Sequence, residues 1–454
     1  MILKDYLKTV DKVYHTTLNP KGPGSVRIHL VPPKNTRVGI PWVTIINGYY
    51  ILPIQTSWAV LLSIFIEELN KTNGVPFESM DEIIENTITK AKEIFFNTEA
   101  KLMKKDLSEI LKVFEDIARG KNPTSEIGFM TLSKYSKFMG APHRMDLMVS
   151  SMNSGGIWNC NQECIHCYAG EEIMANTDEL STADWLKIID NLKLARVPMV
   201  TFTGGEPTMR DDLVDLVEHA DWFVTRLNTN GILMTKDLAE KLYKASLDNV
   251  QFTFYSVDKD IHNLLVGGKH FDETIEGIKN AINAGLDVSV NTPLCSINKN
   301  YKDTIEFLMT LGVKYFTCSG LIPSGKALEI ESTSTRLSKK EITNIVKEAY
   351  KFTSENGLEL SFTSPGWIDD KDLKSMRMVV PSCGACLSNM AIAPNGDVLP
   401  CQSWLQGETL GNILELSWNK IWNSKMCKSQ RKYSAKNERI CPLGLKEANV
   451  WRNY

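Results

Sequence analysis

Between Asp146 and Ser319, apolar strand patterns alternate with helical periods in a regular order. Two of the helices end in glycine just before the next strand, in INAGLDVSV and MTLGVKYFT, which is a typical C-terminal helix signal. Near-continuous apolar strands are typical of a parallel sheet or barrel that binds ligands at the carboxyl ends of its strands. We therefore expect six β/α units with strands at Asp146–Met152, Met199–Thr203, Trp222–Asn228, Val250–Ser256, Asp287–Thr292 and Tyr315–Ser319.

Three closely spaced cysteines follow the first of these strands. They are Cys160, Cys164 and Cys167, in the order C-x3-C-x2-C within WNCNQECIHCYAG. Three such thiolates can bind three irons of a [4Fe–4S] cluster and leave the fourth iron open to a small molecule. A zinc knuckle would need a fourth ligand at similar spacing, and three cysteines cannot pair evenly in disulfides. The triplet therefore favours an iron–sulfur site.

A second motif, Gly204-Gly205-Glu206-Pro207, ends the next strand. Two glycines let the backbone approach a ligand closely, and the carboxylate that follows can bind an ammonium group. The triplet and GGEP, one β/α step apart, resemble the radical S-adenosylmethionine (SAM) superfamily. The resemblance implies a partial (β/α)6 barrel with a [4Fe–4S] cluster whose open iron chelates SAM, while the GGE segment holds the amino group of SAM. It also implies reductive cleavage to a 5′-deoxyadenosyl radical, which abstracts a substrate hydrogen.

The resemblance assigns further SAM contacts. Tyr168 follows the third cysteine, where the backbone typically meets the adenine. Ser256, in FYSVD, matches a serine that bonds the methionine carboxylate, and Asn291 matches a position that contacts the ribose or carboxylate, although a simple strand-end asparagine stays an alternative. Family members often place an arginine shortly before the position of Gly267. This chain has HNLLV there and no arginine. The residue that pairs with the methionine carboxylate of SAM therefore stays open, and Lys269 is the nearest candidate.

A second group of cysteines occupies residues 383–441 and indicates a second metal centre. The pattern C-x9-G-x4-C resembles the auxiliary-cluster domains of the same superfamily, called SPASM or, when shorter, twitch. The dense C-x2-C-x5-C-x3-C group of a full SPASM domain is missing from the sequence, so we expect one auxiliary [4Fe–4S] cluster. Its expected ligands are Cys383, Cys386, Cys401 and Cys441. Cys427 lies at helical spacing among tryptophans and reads as a core thiol, with a ligand role left open.

Residues 1–145 precede the barrel. In WVTIINGYYILP, Asn47-Gly48 between two apolar half-strands predicts a hairpin. Three helices should follow, at Thr56–Leu69, after the capping box Ser79-x-x-Glu82, and at Asp106–Ile117. This order resembles the small winged-helix domain that binds leader peptides in many peptide-modifying enzymes; a packing or dimerisation element is the alternative. We thus expect an N-terminal domain at 1–145, a barrel at 146–325, and a linker helix with the auxiliary domain at 326–454.

Composition excludes several classes of partner. The chain of 454 residues has a net charge of −3, so no basic excess suggests nucleic acid. The longest apolar run, Trp58–Ile66, is too short to cross a bilayer, and the N-terminus lacks a signal-peptide core. We expect a cytoplasmic protein whose cysteines bind metal rather than form disulfides.

We therefore expect a radical SAM oxidoreductase that modifies a peptide or protein side chain, forming a thioether or a carbon–carbon cross-link. A small-molecule substrate in cofactor, haem-type or antibiotic biosynthesis is the alternative. A non-catalytic cluster carrier is a third possibility, against which the intact GGEP argues. Flavodoxin or ferredoxin would supply electrons. The hydrogen that is abstracted, the fate of SAM and the oligomeric state stay open.

Overall fold

The structure is a computed structural model that describes residues 2–18, 26–46, 50–71, 80–118, 136–154, 157–329 and 334–444. The chain divides into two compact units. One comprises Met1–Ala141 with Lys193–Pro198, and the other comprises Pro142–Leu192 with Met199–Tyr454. None of the described helices is long and apolar enough to span a membrane.

The first unit contains a four-stranded antiparallel sheet in the order β1-β2-β3-β4. Its strands are β1 (Tyr14–Leu18), β2 (Val26–Val31), β3 (Trp42–Ile46) and β4 (Tyr50–Ile54). The last two form the predicted hairpin, with Ile46 paired to Tyr50, whereas the Asn47-Gly48 turn lies outside the described residues. The first two strands were not predicted, although VRIHLV in β2 alternates apolar and polar residues in the manner of a strand.

Three helices follow this sheet, as predicted. They span Thr56–Asn70, Met80–Ile94 and Ala100–Ala118, after a short N-terminal helix at Leu3–Tyr6. The third begins at Ala100 rather than Asp106, and Ser79 of the capping box lies outside the described residues. Fully buried side chains of the sheet and helices, including Trp42, Phe65 and Phe114, form the core of this unit. The predicted α+β arrangement of a hairpin and three helices is confirmed.

The second unit is built on a parallel sheet. Strand β5 (Arg144–Ser150) is followed by a short antiparallel pair, β6 (Asn153–Ser154) and β7 (Ile157–Trp158). Five further strands then pair in parallel, in the order β5-β8-β9-β10-β11-β12. They are β8 (Met199–Gly204), β9 (Val224–Thr229), β10 (Asn249–Thr253), β11 (Asp287–Pro293) and β12 (Tyr315–Ser319). The six predicted barrel strands are confirmed.

Helices connect these strands. They span Thr182–Leu194, Leu213–His219, Lys236–Lys244, Lys259–Val266, Phe271–Ala284 and Tyr301–Thr310. Gly285 ends its helix with φ +90°, and Gly312 has φ +98° after the last one, so both take the left-handed conformation that the sequence predicted.

The sheet continues beyond the six strands at both edges. The helix Lys339–Glu355 leads to β13 (Glu359–Phe362), which pairs in parallel with β12, so the alternation continues beyond the six units that the sequence predicted. The sequence ELSF gives no apolar run, since this edge strand exposes part of its length to solvent.

At the opposite edge, β14 (Asn389–Ile392) pairs in parallel with β5 and in antiparallel with β15 (Val398–Leu399). The hairpin around Asn395-Gly396 is therefore a continuation of the barrel sheet. The remaining helices of the C-terminal region span Asp370–Ser375, Trp418–Trp422 and Lys425–Lys436.

Candidate functional site

The cysteine triplet lies in the loop between β7 and the helix Thr182–Leu194. Cys160, Cys164 and Cys167 are all half-buried, and the N–H of Cys167 donates to the carbonyl of Cys164 at 3.1 Å. Burial is the main cause that raises the pKa of all three thiols, and neighbouring thiols add to the rise at Cys160 and Cys164; the pKa of Cys160 reaches about 12. Thiolates that repel each other in a buried loop need positive charge among them, which fits binding to iron.

The end of the helix Lys259–Val266 fixes one side of this loop. The N–H groups of Glu163 and Ile165 donate to the carbonyls of Val266 and Leu265, both at 3.1 Å. Gly267 follows with φ +68°, and a Cβ at this position would lie 2.3 Å from the carbonyl oxygen of Glu163. A glycine is therefore needed here for both its conformation and the close approach of the loop.

The other side of the loop contacts a turn that follows β12, in LIPSGKALE. The N–H of Lys326 donates to the carbonyl of Cys167 at 2.9 Å, and the Lys326 ammonium lies 4.6 Å from the Trp158 ring centroid. Gly325 has φ +56°, and a Cβ there would lie 2.7 Å from the Cys167 carbonyl oxygen. Glu172 accepts the N–H of Gly325 at 2.7 Å. We did not predict this contact; its one signal in the sequence is a glycine–lysine turn just after a barrel strand.

The GGEP loop packs against the carboxyl end of β5. Gly205 donates its N–H to the carbonyl of Ser150 at 2.9 Å. Gly204 has φ +140°, and a Cβ there would lie 2.3 Å from the same carbonyl oxygen. At Gly205 a Cβ would lie 2.6 Å from the carbonyl oxygen of Ser151. The two glycines thus let this loop contact the strand that leads into the cysteine loop.

Glu206 is buried, and its carboxylate accepts four hydrogen bonds. Oε1 accepts the N–H of Thr208 at 3.0 Å, its hydroxyl at 2.6 Å, and the hydroxyl of Thr229 at 2.7 Å. Oε2 accepts the N–H of Asn230 at 2.8 Å. Burial raises the pKa of Glu206, and these bonds oppose the rise. Since each oxygen offers about two lone-pair directions, Oε2 retains room for one more donor.

Buried donors without a hydrogen-bond partner within the described residues surround this region. They are the hydroxyl of Ser150 and the side-chain amides of Asn161 and Gln162. Asn161 is held in place because its Oδ1 accepts the side-chain N–H of Asn230 at 2.6 Å. Such unpaired groups cost about 1–3 kcal/mol each, so polar atoms of a ligand between the cysteine and GGEP loops would stabilise the protein.

The other predicted SAM contacts lie on β11 and after β10. Ser256 is buried and its oxygen accepts the N–H of Asp258 at 3.0 Å, which leaves its own proton for another acceptor. Asn291 is half-buried, and its Oδ1 accepts the hydroxyl of Thr317 at 2.9 Å. Lys269 is exposed on the loop after the helix Lys259–Val266.

Asn291 belongs to a row of polar residues at alternate positions of neighbouring strands. Asn228 pairs with Gln251, and Asn291 pairs with Thr317. Gln251 also donates to the hydroxyl oxygen of Thr317 at 3.4 Å. These side chains are half-buried while their chain neighbours are buried. The sheet therefore presents uncharged hydrogen-bonding groups on a face that solvent reaches.

The structure also brings together the cysteines predicted for the second centre. The N–H of Cys386 donates to the carbonyl of Pro400 at 2.9 Å, which places it next to Cys401. Burial raises the pKa of the Cys401 thiol, and Cys383 and Cys441 add to the rise. Burial and then Cys427 raise the pKa of the Cys386 thiol most, and Cys401 adds to the rise. Cys383 and Cys386 are buried, whereas Cys401 and Cys441 are half-buried, and the repulsion of the four as thiolates again fits a site that positive iron would neutralise.

Within the described residues, no group of three His, Cys, Asp or Glu side chains meets the spacing needed for a single metal ion. Cys295 and Cys318 are buried at the ends of barrel strands. The N–H of Cys295 donates to Asn298 at 2.8 Å, and the pKa of Cys318 is raised to about 12 by burial. Both positions agree with a packing role.

Tyr168 lies near both groups of cysteines. Burial raises the pKa of its phenol, and Cys167, Asp146 and Cys401 add to the rise. Its ring packs, together with that of Trp158, against an apolar cluster that includes residues of β5, β14 and β15: Met148, Ala391 and Leu399. The loop of the first site and the hairpin of the second therefore share one core.

A charged network that the sequence did not reveal supports the end of β5. Arg210, four residues after Glu206, donates to Asp212 at 2.7 and 2.8 Å, to Glu179 at 3.2 Å and to the carbonyl of Val149 at 3.0 Å. Glu179 accepts the N–H of Ser151 at 2.9 Å. The network lines a cavity of about 360 Å³ beside the cysteine and GGEP loops.

Comparison with curated proteins finds relatives of different activities. The "AdoMet-dependent heme synthase" of Oleidesulfovibrio alaskensis is 25% identical over 282 residues, covering 58% of this chain and 72% of that protein. The "Probable GTP 3',8-cyclase" of Saccharolobus solfataricus is 35% identical over 173 residues. That match covers 37% of this chain and 55% of the cyclase, so the chain spans about half the length of that relative.

Solved structures show the same fold over a longer part of the chain. SuiB of Streptococcus suis, bound to the precursor peptide SuiA, has a TM-score of 0.59 at 16% identity and covers 86% of this chain and 87% of its own. The structure of anSMEcpe with bound AdoMet and the Kp18Cys peptide has a TM-score of 0.52 at 17% identity, covering 64% of this chain and 83% of its own.

Two family models match the two parts of the chain that carry the cysteine groups. Residues 159–311 match the radical SAM superfamily, and residues 383–443 match SPASM, an iron–sulfur cluster-binding domain. A radical SAM domain implies a [4Fe–4S] cluster and SAM, and a SPASM domain implies auxiliary iron–sulfur clusters. These are the kinds of cofactor that the sequence predicted. The chain therefore carries a radical SAM domain, the domain of a superfamily of enzymes, and a SPASM domain.

Proposed function

We propose that this enzyme oxidatively modifies a side chain of a ribosomally made peptide or protein, forming a thioether or carbon–carbon cross-link. The observation that carries the proposal is the extent of the likeness to SuiB, which covers 86% of the chain. That length exceeds the second unit, so it includes residues ahead of the barrel. SuiB binds a precursor peptide, and we assign peptide recognition to residues 1–145, radical chemistry to 146–325 and the auxiliary centre to 326–454.

The first site would hold the SAM-binding cluster. Cys160, Cys164 and Cys167 are its proposed ligands, and with SAM it supplies the 5′-deoxyadenosyl radical that takes a substrate hydrogen. Gly204 and Gly205 bring the loop close to SAM, and the remaining lone pair of Glu206 Oε2 would accept its ammonium group.

The other contacts would orient SAM. The Ser256 hydroxyl would donate to the methionine carboxylate, because its oxygen already accepts Asp258 while its proton is uncommitted. Asn291 would bind the ribose or carboxylate, and the backbone near Tyr168 would meet the adenine. The unpaired amides of Asn161 and Gln162 are further donors in the same region.

In the C-terminal domain we propose one auxiliary [4Fe–4S] cluster on Cys383, Cys386, Cys401 and Cys441. The burial of Cys383 and Cys386 would limit the access of water to the cluster, and the shared core around Tyr168 would keep this centre close to the first one. Flavodoxin or ferredoxin is the proposed electron donor.

A small-molecule substrate is the second candidate, because the haem synthase matches 58% of the chain. The polar row Asn228, Gln251, Asn291 and Thr317 argues for the peptide. A tetrapyrrole needs an apolar surface for its macrocycle and cations for its carboxylates, whereas uncharged amides and hydroxyls suit the amide groups of a peptide.

The test uses the full chain, reconstituted with iron and sulfide without oxygen, reduced, and supplied with SAM. We would compare a synthetic peptide encoded by a short reading frame beside the gene with a tetrapyrrole carrying propionates. We expect the peptide alone to increase 5′-deoxyadenosine and to lose the mass of two hydrogen atoms. Turnover of the tetrapyrrole without any change to the peptide would reject the peptide proposal.

Alanine variants test the two sites separately. Cys160→Ala, Cys164→Ala and Cys167→Ala should each abolish 5′-deoxyadenosine formation. Cys401→Ala should retain part of it while losing the modified product. Deoxyadenosine formation that survives replacement of all three cysteines of the triplet would refute the assignment of the first site.

A further inference from the structure

A lysine in the turn after β12 lies along the cysteine loop. The backbone N–H of Lys326 fixes one end of this residue, because it donates to the carbonyl of Cys167 at 2.9 Å. The stem lies against Gly170, since a Cβ there would lie 3.1 Å from Cγ and 3.3 Å from both Cδ and Cε of the lysine. At the other end, the ammonium lies 4.6 Å from the ring centroid of Trp158. The side chain therefore follows the loop that carries the thiols.

The ring of Trp158 is itself joined to the cysteine loop. Its indole N–H donates at 2.9 Å to the carbonyl of Gln162, which lies between the first two cysteines of the triplet. Trp158, Cys160 and Cys167 also pack against the same apolar cluster. A cation over the face of an aromatic ring is attracted by the negative charge of that face. The ring therefore holds the ammonium beside the thiols.

Within the part of the chain that the structure describes, no carboxylate pairs with the Lys326 ammonium. Glu172 contacts the same turn, but it accepts the hydroxyl of Ser324 at 2.8 Å and the N–H of Gly325 at 2.7 Å. A half-buried cation is stabilised by an anion close to it. The adjacent loop supplies such anions, because its three cysteines become thiolates when they bind iron.

The charge of Lys326 acts on the thiols of the loop. Burial raises the pKa of the Cys164 and Cys167 thiols, and the charge of Lys326 opposes this rise at both. The same charge would act on a cluster bound by these sulfurs. Reduction adds an electron to the cluster, and a nearby cation stabilises the more negative, reduced state. A fixed ammonium at this place would therefore favour the reduction that precedes cleavage of SAM.

We propose that Lys326 is a positioning residue, held over Trp158 and against the cysteine loop, whose positive charge raises the reduction potential of the SAM-binding cluster. The inference rests on the assignment of Cys160, Cys164 and Cys167 given under the proposed function.

The test is a redox titration of the full chain, reconstituted with iron and sulfide and followed by electron paramagnetic resonance in the absence of SAM. The signal that changes when SAM is added afterwards identifies the first cluster. Lys326→Met keeps most of the stem but removes the charge. We expect this variant to retain the wild-type iron content and to lower the midpoint potential of the first cluster alone. Lys326→Arg keeps the charge and should stay near the wild-type potential.

Lys302→Met is the matched control. The Lys302 ammonium also lies over an aromatic ring, 5.1 Å from the centroid of Phe352, but it pairs with Glu306 at 2.6 Å. Its removal should leave the potentials of both clusters unchanged. An equal fall of the first potential in Lys302→Met would show that the effect does not depend on the place of Lys326, and would overturn the proposal.

Three further results would overturn the proposal. An unchanged potential in Lys326→Met would do so, and a weaker SAM affinity of that variant, measured by calorimetry, would then assign the ammonium to the SAM carboxylate instead. Loss of iron from Lys326→Met would show that the lysine is needed to retain the cluster rather than to set its potential. An equal fall in Lys326→Arg would show that the charge is not the cause. Failure of the underlying ligand assignment is seen separately, as a first-cluster signal that persists in Cys167→Ala.

Discussion

The backbone N–H of Asn230 donates to Oε2 of Glu206 at 2.8 Å, which joins the loops after β8 and β9. The side chain of Asn230 extends the link to the cysteine loop, because it donates to Asn161 at 2.6 Å. Three loops from separate parts of the sequence are thus connected through one asparagine. The carboxylate of Glu206 organises these loops in addition to its proposed contact with SAM.

Glu206→Gln should therefore weaken both the fold and SAM binding. A glutamine can keep one oxygen for the Thr208 and Thr229 donors, but its NH2 would face the N–H of Asn230. Loss of this buried hydrogen bond should lower the free energy of unfolding by about 1–3 kcal/mol. Urea unfolding and calorimetry of SAM binding measure the two effects. Glu240→Gln, on an exposed helix face, is the control. Equal unfolding free energies and equal SAM affinities for the two variants would contradict this role of Glu206.

The two glycines that contact the cysteine loop should be intolerant of a methyl group. Gly267→Ala and Gly325→Ala would each place a Cβ within 2.7 Å of backbone oxygens of the loop. We expect a displaced loop and a lower iron content after reconstitution. Gly357→Ala has the same kind of backbone, with φ +67°, but meets no atom within 4 Å, so it controls for conformational strain of about 1 kcal/mol. Equal iron content in all three variants would show that the close approach is unimportant.

Arg210→Met should destabilise the second unit strongly. The methionine would leave the carboxylates of Glu179 and Asp212 without the cation between them, at a site where Arg210 is 11% exposed. Removal of one partner from such a buried group costs about 3–5 kcal/mol. The control, Arg439→Met, breaks a surface pair with Asp370 and should cost at most about 1 kcal/mol. Chemical unfolding of both variants measures the difference. Similar losses of unfolding free energy would show that the Arg210 network does not stabilise the second unit more than a surface pair does.

The stability of the fold should fall in acid because of His262. This histidine is buried, its Nδ1 accepts the N–H of Tyr255 at 3.3 Å, and burial, with a smaller effect of His270, lowers its pKa to about 4. Since the folded state binds fewer protons than the unfolded state, stability is complete above about pH 6.5 and is lost as the pH falls towards 4. The loss amounts to about 3 kcal/mol, from about 1.4 kcal/mol per pKa unit.

His262→Asn offers a test, because its Oδ1 can replace Nδ1 as acceptor but cannot take up a proton. Unfolding free energies measured between pH 7 and pH 4 should fall less steeply in this variant. The unfolding free energy of the variant should still fall somewhat with falling pH, since burial also lowers the pKa of His143 to about 4. An identical pH dependence of variant and wild type would show that His262 does not cause the loss.

The sequence was informative where one segment carries the whole signal. The apolar runs of β8 and β10, the glycine exits of two helices and the C-x3-C-x2-C loop all lie within short stretches, so their patterns predicted them. Contacts between distant segments gave no such signal. Helical spacing correctly predicted that Cys427 is buried, but it gave no sign of the contact between Ser434 of the same helix and the Cys383 thiol, which depends on how the helix packs on another segment. Lys326 looked like part of an ordinary loop until the fold brought it to Cys167.

The parallel pairing of β14 with β5 sets the separation between the two groups of cysteines. Ala391 pairs with Asp146, on the strand whose end, Ser150, contacts Gly205, while β15 leads directly to Cys401. A shift of this pairing by one residue would move the second group by about 3.3 Å relative to the first. Under the proposed function, the distance that an electron would cross between the two centres is therefore set by a ladder of backbone hydrogen bonds.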